Sequence, residues 1–229
     1  MAFFLAKLMI VMLEGAVNMK IIGIVGSRRK KGNTSTLMQE ALKPFQLQGI
    51  ETNLIFLGDY NIIDCNGCEG CKDTYKCVID DDMQELYPAI LESDAVILGS
   101  PAYFYNITAD MKAFIDRCYC FEVFDEDDRS VWMGLNEALG GKYAAVIAVS
   151  EQEKEEDMGF TAEAMEKPLE ALGYRVVSTV KALHLFKAGE ASKNEKAMKA
   201  ARQAGEKLLK TLQLKEKVKI RLSNLSENQ

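Results

Sequence analysis

The chain reads as a doubly wound α/β domain built on a five-stranded parallel sheet. Three observations predict this. Apolar runs of strand length recur and alternate with stretches whose apolar residues keep helical spacing. The connections between them are mostly short, which suits crossover helices and a parallel sheet. The first unit, Gly23 to Leu37, is a strand, a polar turn and a helix start in direct succession.

In order, Ile21 to Val25 is continuously apolar, as expected of a strand buried on both faces of a parallel sheet. Gly26 ends it. Thr34 to Leu47 carries a helical stripe (Leu37, Ala41, Leu42, Phe45), with fraying expected at Pro44. Thr52 to Leu57 is the second strand, closed by Gly58-Asp59, and a cysteine-rich loop runs from Asp64 to Cys77. Asp80-Asp81-Asp82 opens the next helix (Met83, Leu86, Tyr87, Ile90, Leu91), where acidic residues cap free N–H groups and suit the helix dipole. Ala95 to Gly99 is the third strand, ended by Ser100-Pro101, and Thr108 to Cys118 is helical.

A long connection, Phe121 to Gly141, holds the only tryptophan, Trp132. Tyr143 to Val149 is the fourth strand. The charged loop Glu151 to Asp157 leads to a helix over Thr161 to Leu172, and Gly173-Tyr174 turns into the fifth strand, Arg175 to Lys181. The last helix is placed at Ala188 to Leu214. Val218 to Leu222 alternates weakly, as an added edge strand would. The expected division is an apolar extension (1–18), one domain (19–214) and a tail (215–229).

The net charge of −6 and pI near 5.1 argue against a general nucleic-acid or anionic-membrane binder. Six cysteines are present, four of them within thirteen residues. Clustering of this kind in a long, Met-rich and charged chain favours metal or redox work and a cytoplasmic setting over a disulfide framework. Phe3 to Leu13 is too short for a bilayer span and has no basic region ahead of it. It is expected to be a dispensable or oligomer-packing extension.

The polar turn concentrates donors: Gly26-Ser27-Arg28-Arg29, then Asn33-Thr34-Ser35-Thr36 at a helix start. Backbone N–H groups, hydroxyls and an arginine converge there on an anion, most plausibly a phosphate. The loop lacks the Gly-Lys-Ser/Thr of a Walker A motif and the Gly-x-Gly-x-x-Gly of a dinucleotide fingerprint. A phosphomonoester is well served by several hydroxyls and one arginine. A second loop, Ser100-Pro101-Ala102-Tyr103-Phe104, follows the third strand; Pro101 stiffens it, Tyr103 and Phe104 offer flat apolar surface, and Asn106 a polar contact.

These two loops, with Ala109 to Arg117 after the second, resemble the NADPH-dependent FMN reductase family over roughly residues 19–183. The resemblance implies a flavodoxin-like fold with strand order 2-1-3-4-5 and FMN bound by Ser27, Arg29, Asn33, Thr34, Ser35, Pro101, Ala102, Tyr103, Phe104 and Asn106. The acidic Glu151 to Asp157 loop departs from the family pattern and bears on flavin-edge contacts and pyridine-nucleotide access.

Cys65, Cys68, Cys71 and Cys77 form a C-x2-C-x2-C-x5-C tract with glycines at 67 and 70. Four thiolates in a tight loop suit an iron–sulfur cluster, while zinc, free thiols and a labile disulfide stay open on spacing alone. The tract is similar to that of the iron–sulfur flavoproteins, a branch of the same family, which implies a [4Fe–4S] cluster. The branch also implies a homodimer or homotetramer and a small electron carrier such as ferredoxin, or NAD(P)H, as partner. Cys118, Cys120 and His184 are read as structural. The expected activity is electron transfer between a reduced donor and an acceptor. The alternatives are an NAD(P)H-dependent flavin or quinone reductase without a cluster, and a non-enzymatic FMN carrier.

Overall fold

The structure, a computed structural model, describes residues 19–226. The expected extension at residues 1–18 lies outside them. The elements run β1 (Lys20–Val25), α1 (Asn33–Gln46), β2 (Glu51–Phe56), α2 (Met83–Glu92), β3 (Ala95–Pro101), α3 (Ala109–Arg117), β4 (Glu122–Phe124), β5 (Trp132–Gly134), β6 (Lys142–Val149), α4 (Glu163–Ala171), β7 (Tyr174–Ala182) and α5 (Glu195–Ser226). The main sheet has the order β2-β1-β3-β6-β7, all pairs parallel. Counted within that sheet this is 2-1-3-4-5, the expected doubly wound order.

The central strands carry apolar side chains on both faces because helices cover both. On one side Ile22, Ile24, Val96, Leu98 and Val146 meet α2, α3 and α4. On the other Ile21, Val25, Ile97 and Ile147 meet α1 and α5. The edge strand β2 alternates between exposed and half-buried positions and needs no continuous apolar run.

Four expectations are corrected. Pro44 does not fray α1, which continues to Gln46; the helix tolerates the missing N–H one turn from its end, with the proline buried against the core. The connection 121–141 contains an antiparallel hairpin, β4–β5, with Phe124 opposite Trp132. Val218 to Leu222 is no edge strand. It belongs to α5, a single helix from Glu195 to Ser226, so no separate tail begins at residue 215. The helix starts later than Ala188, because residues 183–194 are used elsewhere.

Helices α1 and α5 lie against each other at Gly205, where a Cβ would come within 2.0 Å of the Ala41 carbonyl oxygen. Beside that contact the fully buried Glu40 carboxylate is held by Lys43 and by Arg202, whose Nε donates at 2.6 Å. Burial pushes the Glu40 carboxyl upward, but hydrogen bonds from Lys43 and Arg202 outweigh it and leave it below its ordinary range. The pair therefore stabilises the fold above the ordinary carboxylate pKa and loses that contribution as pH falls through the lower folded value.

Arg202→Met should destabilise the protein by about 2 kcal/mol at neutral pH, because it strands a buried carboxylate with one exposed partner. The loss should shrink at low pH, where the carboxylate is protonated in either protein. Denaturant midpoints at both pH values measure it; an equal loss at both would dissociate Glu40 from the effect.

Candidate functional site

A cleft of about 410 Å³ opens at the carboxyl ends of β1, β3 and β6. In a doubly wound sheet of this order the crossovers leave β1 and β3 toward opposite faces, so a crevice forms where they part. Ser27, Arg29, Gly32, Asn33 and Thr34 line one wall, and Pro101 to Phe104 line another.

The first wall is the start of α1. Its N-cap is Gly32, which offers no side-chain cap, and its first turn has no acidic residue. The leading N–H groups are thus open to an anion, and the dipole favours one. The turn is held by its own bonds: Gly32 N donates to Arg29 O at 2.8 Å, Ser35 Oγ to the same oxygen at 2.9 Å, and Arg29 N to Ser27 Oγ at 3.3 Å. Arg28 is drawn off by a two-pronged pair with Asp110, both contacts 2.7 Å, and Lys30 by Asp59 at 2.8 Å. Arg29 is the basic residue of the turn that lines the cleft.

The second wall is a tight turn. Tyr103 N donates to Asn106 O at 2.7 Å and Asn106 N returns the bond to Tyr103 O at 3.1 Å. Between them Phe104 and Tyr105 have φ of 49° and 67°, a left-handed pair that turns of this kind ordinarily give to Asn-Gly. Non-glycine residues held there cost of order 1 kcal/mol each and persist when neighbours impose them. The neighbour is Gly159, φ 62°, where a Cβ would collide with the Tyr105 carbonyl; Phe160 N donates to that oxygen at 2.8 Å. The reward is surface. Phe104 is 96% exposed, over the cleft, with Tyr103 and Tyr105 half exposed beside it.

The third wall is formed by Val149, Glu151, Leu185 and Phe186. His184, in a left-handed conformation, and Leu185 bond back to Gln152 O at 2.8 Å and Ser150 O at 3.0 Å. Asn33 anchors the segment after them: its Nδ2 donates to Lys187 O at 3.0 Å and its Oδ1 accepts from Ala191 N at 3.0 Å. Glu190 accepts from both Phe186 N and Lys187 N at 2.8 Å.

Of the expected flavin-site residues, the structure brings Ser27, Arg29, Asn33, Thr34, Pro101, Ala102, Tyr103 and Phe104 to one cleft. Ser35 and Asn106 do not line it. Ser35 braces the turn from behind, and Asn106 Oδ1 accepts from Ile107 N at 2.8 Å. Asn33 sits in the wall with its side chain committed to the 187–191 segment. Sequence reasoning missed Leu185, Phe186 and Thr108. Thr108 caps α3, accepting from Met111 N at 3.2 Å, and donates to Gly26 O at 2.8 Å. A threonine just before the helical stripe of α3 was the available signal for the cap, not for the bond to Gly26.

The cysteine loop lies after β2. All four of its thiols are free of disulfides: Cys65 and Cys68 are exposed, Cys71 and Cys77 half-buried against the core that holds Tyr87 and Cys120. Burial is the largest effect on the Cys71 thiol and raises it. Among the described residues no three His, Cys, Asp or Glu side chains are drawn into a metal-holding arrangement. The donor set itself fits a soft, thiolate-bound group, being four sulfurs free of disulfides on one loop. Cys118 and Cys120 are buried thiols as expected; burial pushes Cys120 up to about 12. The acid run does more than cap: Asp81 is buried and pairs with Arg117.

The sheet order, and the cleft at its switch point, define a domain of the flavodoxin type. The chain belongs to the NADPH-dependent FMN reductase family, whose model matches residues 19–184. An iron-sulfur flavoprotein of Methanocaldococcus jannaschii is 46% identical over 99 residues, 43% of this chain and 51% of that one. One from Archaeoglobus fulgidus is 41% identical over 131 residues, 57% and 54% of the two chains. The chain spans about half the length of these curated relatives. The solved NAD(P)H:quinone oxidoreductase of Methanothermobacter marburgensis shares the fold, with a TM-score of 0.64 over 83% of this chain and 99% of that one at 17% identity. No described helix is long and apolar enough to cross a membrane.

Tyr105→Gly should raise stability by about 1 kcal/mol by relieving one left-handed non-glycine residue. The measurement is the urea midpoint at unchanged slope. A lower midpoint would show that the tyrosine ring contributes more than its backbone costs.

Proposed function

We propose that this protein is an FMN-dependent oxidoreductase that also carries a [4Fe–4S] cluster on Cys65, Cys68, Cys71 and Cys77, and that it passes electrons between a reduced donor and an acceptor. The observation that carries the reading is the two-ended cleft. At one end are an uncapped helix start and Arg29; at the other, flat aromatic surface on a rigid turn. A molecule with a phosphate at one end and a planar ring at the other matches both.

In this reading the first-turn N–H groups of α1, the Ser27 and Thr34 hydroxyls and the Arg29 guanidinium hold the phosphate. Pro101, Ala102, Tyr103 and Phe104 take the ring and keep water from its face. The bound flavin supplies the exchange of electrons singly or as hydride, and the cluster single-electron exchange. Glu151 and the acidic loop behind it put negative charge at the cleft mouth, which selects against anionic acceptors and bears on how a pyridine nucleotide enters. The names of the relatives support the cluster, and so does the soft donor set. The donor is a small electron carrier such as ferredoxin, or NAD(P)H.

One observation favours a second reading. The four sulfurs are not gathered, as suits an NAD(P)H-dependent flavin or quinone reductase with free thiols. Anaerobic purification with iron, sulfide and flavin analysis separates the two. Stoichiometric FMN with four irons per chain is expected, and FMN without iron would remove the leading reading.

Arg29→Ala should weaken FMN binding roughly ten- to a hundredfold and leave riboflavin, which has no phosphate, unaffected. Equal losses for both ligands would remove Arg29 from the phosphate end. Cys68→Ala should abolish bound iron while FMN stays; retained stoichiometric iron would sink the ligand assignment.

A further inference from the structure

The cysteine loop is long and largely exposed, yet its two ends meet at a buried charged group. Ile63 stands just before the tract and Ile79 just after it. Arg117, at the carboxyl end of α3 and 1% exposed, donates from Nη1 to Ile63 O at 2.8 Å and from Nη2 to Ile79 O at 3.3 Å. The same two nitrogens clasp Asp81, with Nη2 to Oδ1 at 3.0 Å. Asp81 accepts in turn from Ile63 N at 2.7 Å and Met83 N at 3.1 Å. Gln84 closes the second limb, donating to Cys77 O at 2.9 Å and Ile79 O at 2.7 Å. Both strands of the loop's neck are thus tied to one ion pair.

That ion pair is costly to build. Two charges taken out of water stabilise little by themselves, and apolar residues of similar volume would often serve the fold as well. The pair also has one function left over. Arg117 Nε is buried and has no hydrogen-bond partner, and Cys77 is two residues from Ile79, whose carbonyl the guanidinium holds and which shares Gln84 with the Cys77 carbonyl. A rigid fork with one N–H unspent, at the end of the neck that carries Cys77, is suited to receive a thiolate.

We propose that Arg117 is a positioning residue of the cysteine loop: with Asp81 it closes the neck at Ile63 and Ile79, and its remaining Nε–H is kept for the sulfur of Cys77 when the four thiolates gather on a metal group. This rests on the metal-holding reading of the loop given above. The neck fixes where the tract leaves and re-enters the domain, so fewer loop arrangements compete with the gathered one. The fixed positive charge offsets part of the charge of four thiolates.

The test uses the full chain with FMN bound. Arg117→Lys keeps the charge and removes the fork. Amide exchange across residues 64–77 should accelerate at least tenfold. Binding of cobalt(II), read from thiolate charge-transfer absorption, should weaken at least tenfold, with FMN affinity near wild type and the denaturant midpoint lowered by the lost hydrogen bonds. Unchanged exchange and unchanged cobalt affinity overturn the proposal. Should Arg117→Lys lose FMN through misfolding, the double variant Arg117→Met with Asp81→Leu removes both charges and leaves no buried ion unpaired. It should bind FMN and still show the unprotected loop; a protected loop in that variant overturns the proposal. Wild-type protein that binds FMN but no cobalt through its thiolates overturns the metal-holding reading, and amide exchange then judges the neck by itself.

Discussion

One buried hydrogen bond joins the parts of the cleft: Thr108 Oγ1 to the Gly26 carbonyl, 2.8 Å. Gly26 is the last turn of backbone after β1, and Thr108 is the cap of α3 after β3. The same hydroxyl accepts from Met111 N, and Thr108 N donates to Ser100 Oγ at 3.2 Å. Gly26 N also reaches Gly99 O at 2.8 Å, extending the strand pairing one step beyond the sheet. The turn after β1 and the aromatic turn are therefore built on one hydrogen-bonded frame. A two-ended ligand requires such a frame, because its ends are a fixed distance apart.

How much of this could be read from the residues differs by element, and for physical reasons. The parallel strands were legible because burial on two faces demands unbroken apolar runs such as Ile21 to Val25. The donor-rich turn was legible because Gly, Ser and Thr cluster there for backbone geometry and hydroxyls. The β4–β5 hairpin was not, since three residues a strand are too few to show alternation. The end of α5 was misjudged because its last turns are exposed: Val218, Ile220 and Leu222 read as alternation, although Leu214, Val218, Leu222 and Leu225 keep helical spacing. Phe186 and Leu185 were invisible as site residues: they reach the cleft through Asn33 and Glu190, contacts more than 150 residues apart in one case.

The aromatic turn shows a conflict between local preference and use. Phe104-Tyr105 is a poor sequence for a left-handed pair, and a hairpin selected for stability alone would have Asn-Gly. The chain instead holds aromatic residues there by building Gly159 against them. Local cost beside an exposed ring over a cleft is the pattern expected where binding, and not folding, sets the residue.

The cleft and the cysteine loop are connected through α3 in a way that decides how rigidly they are related. The helix begins at Thr108, in the cleft's frame, and ends at Arg117, in the loop's neck. Nine helical residues at 1.5 Å each make a spacer of roughly 13 Å. Its buried face, Met111, Phe114 and Ile115, is packed in the core, so the spacer does not bend or slide. The turn after β1 reaches the segment leading into the same loop from the other side, through Lys30 and Asp59. An exposed thirteen-residue tract would by itself sample many positions relative to the sheet. Tied at its neck to one end of a buried helix whose other end frames the cleft, it keeps a fixed relation to the cleft. The proposed exchange between a flavin in the cleft and a cluster on the loop would need that constancy, and it comes here from packing and one ion pair, not from the loop's own sequence.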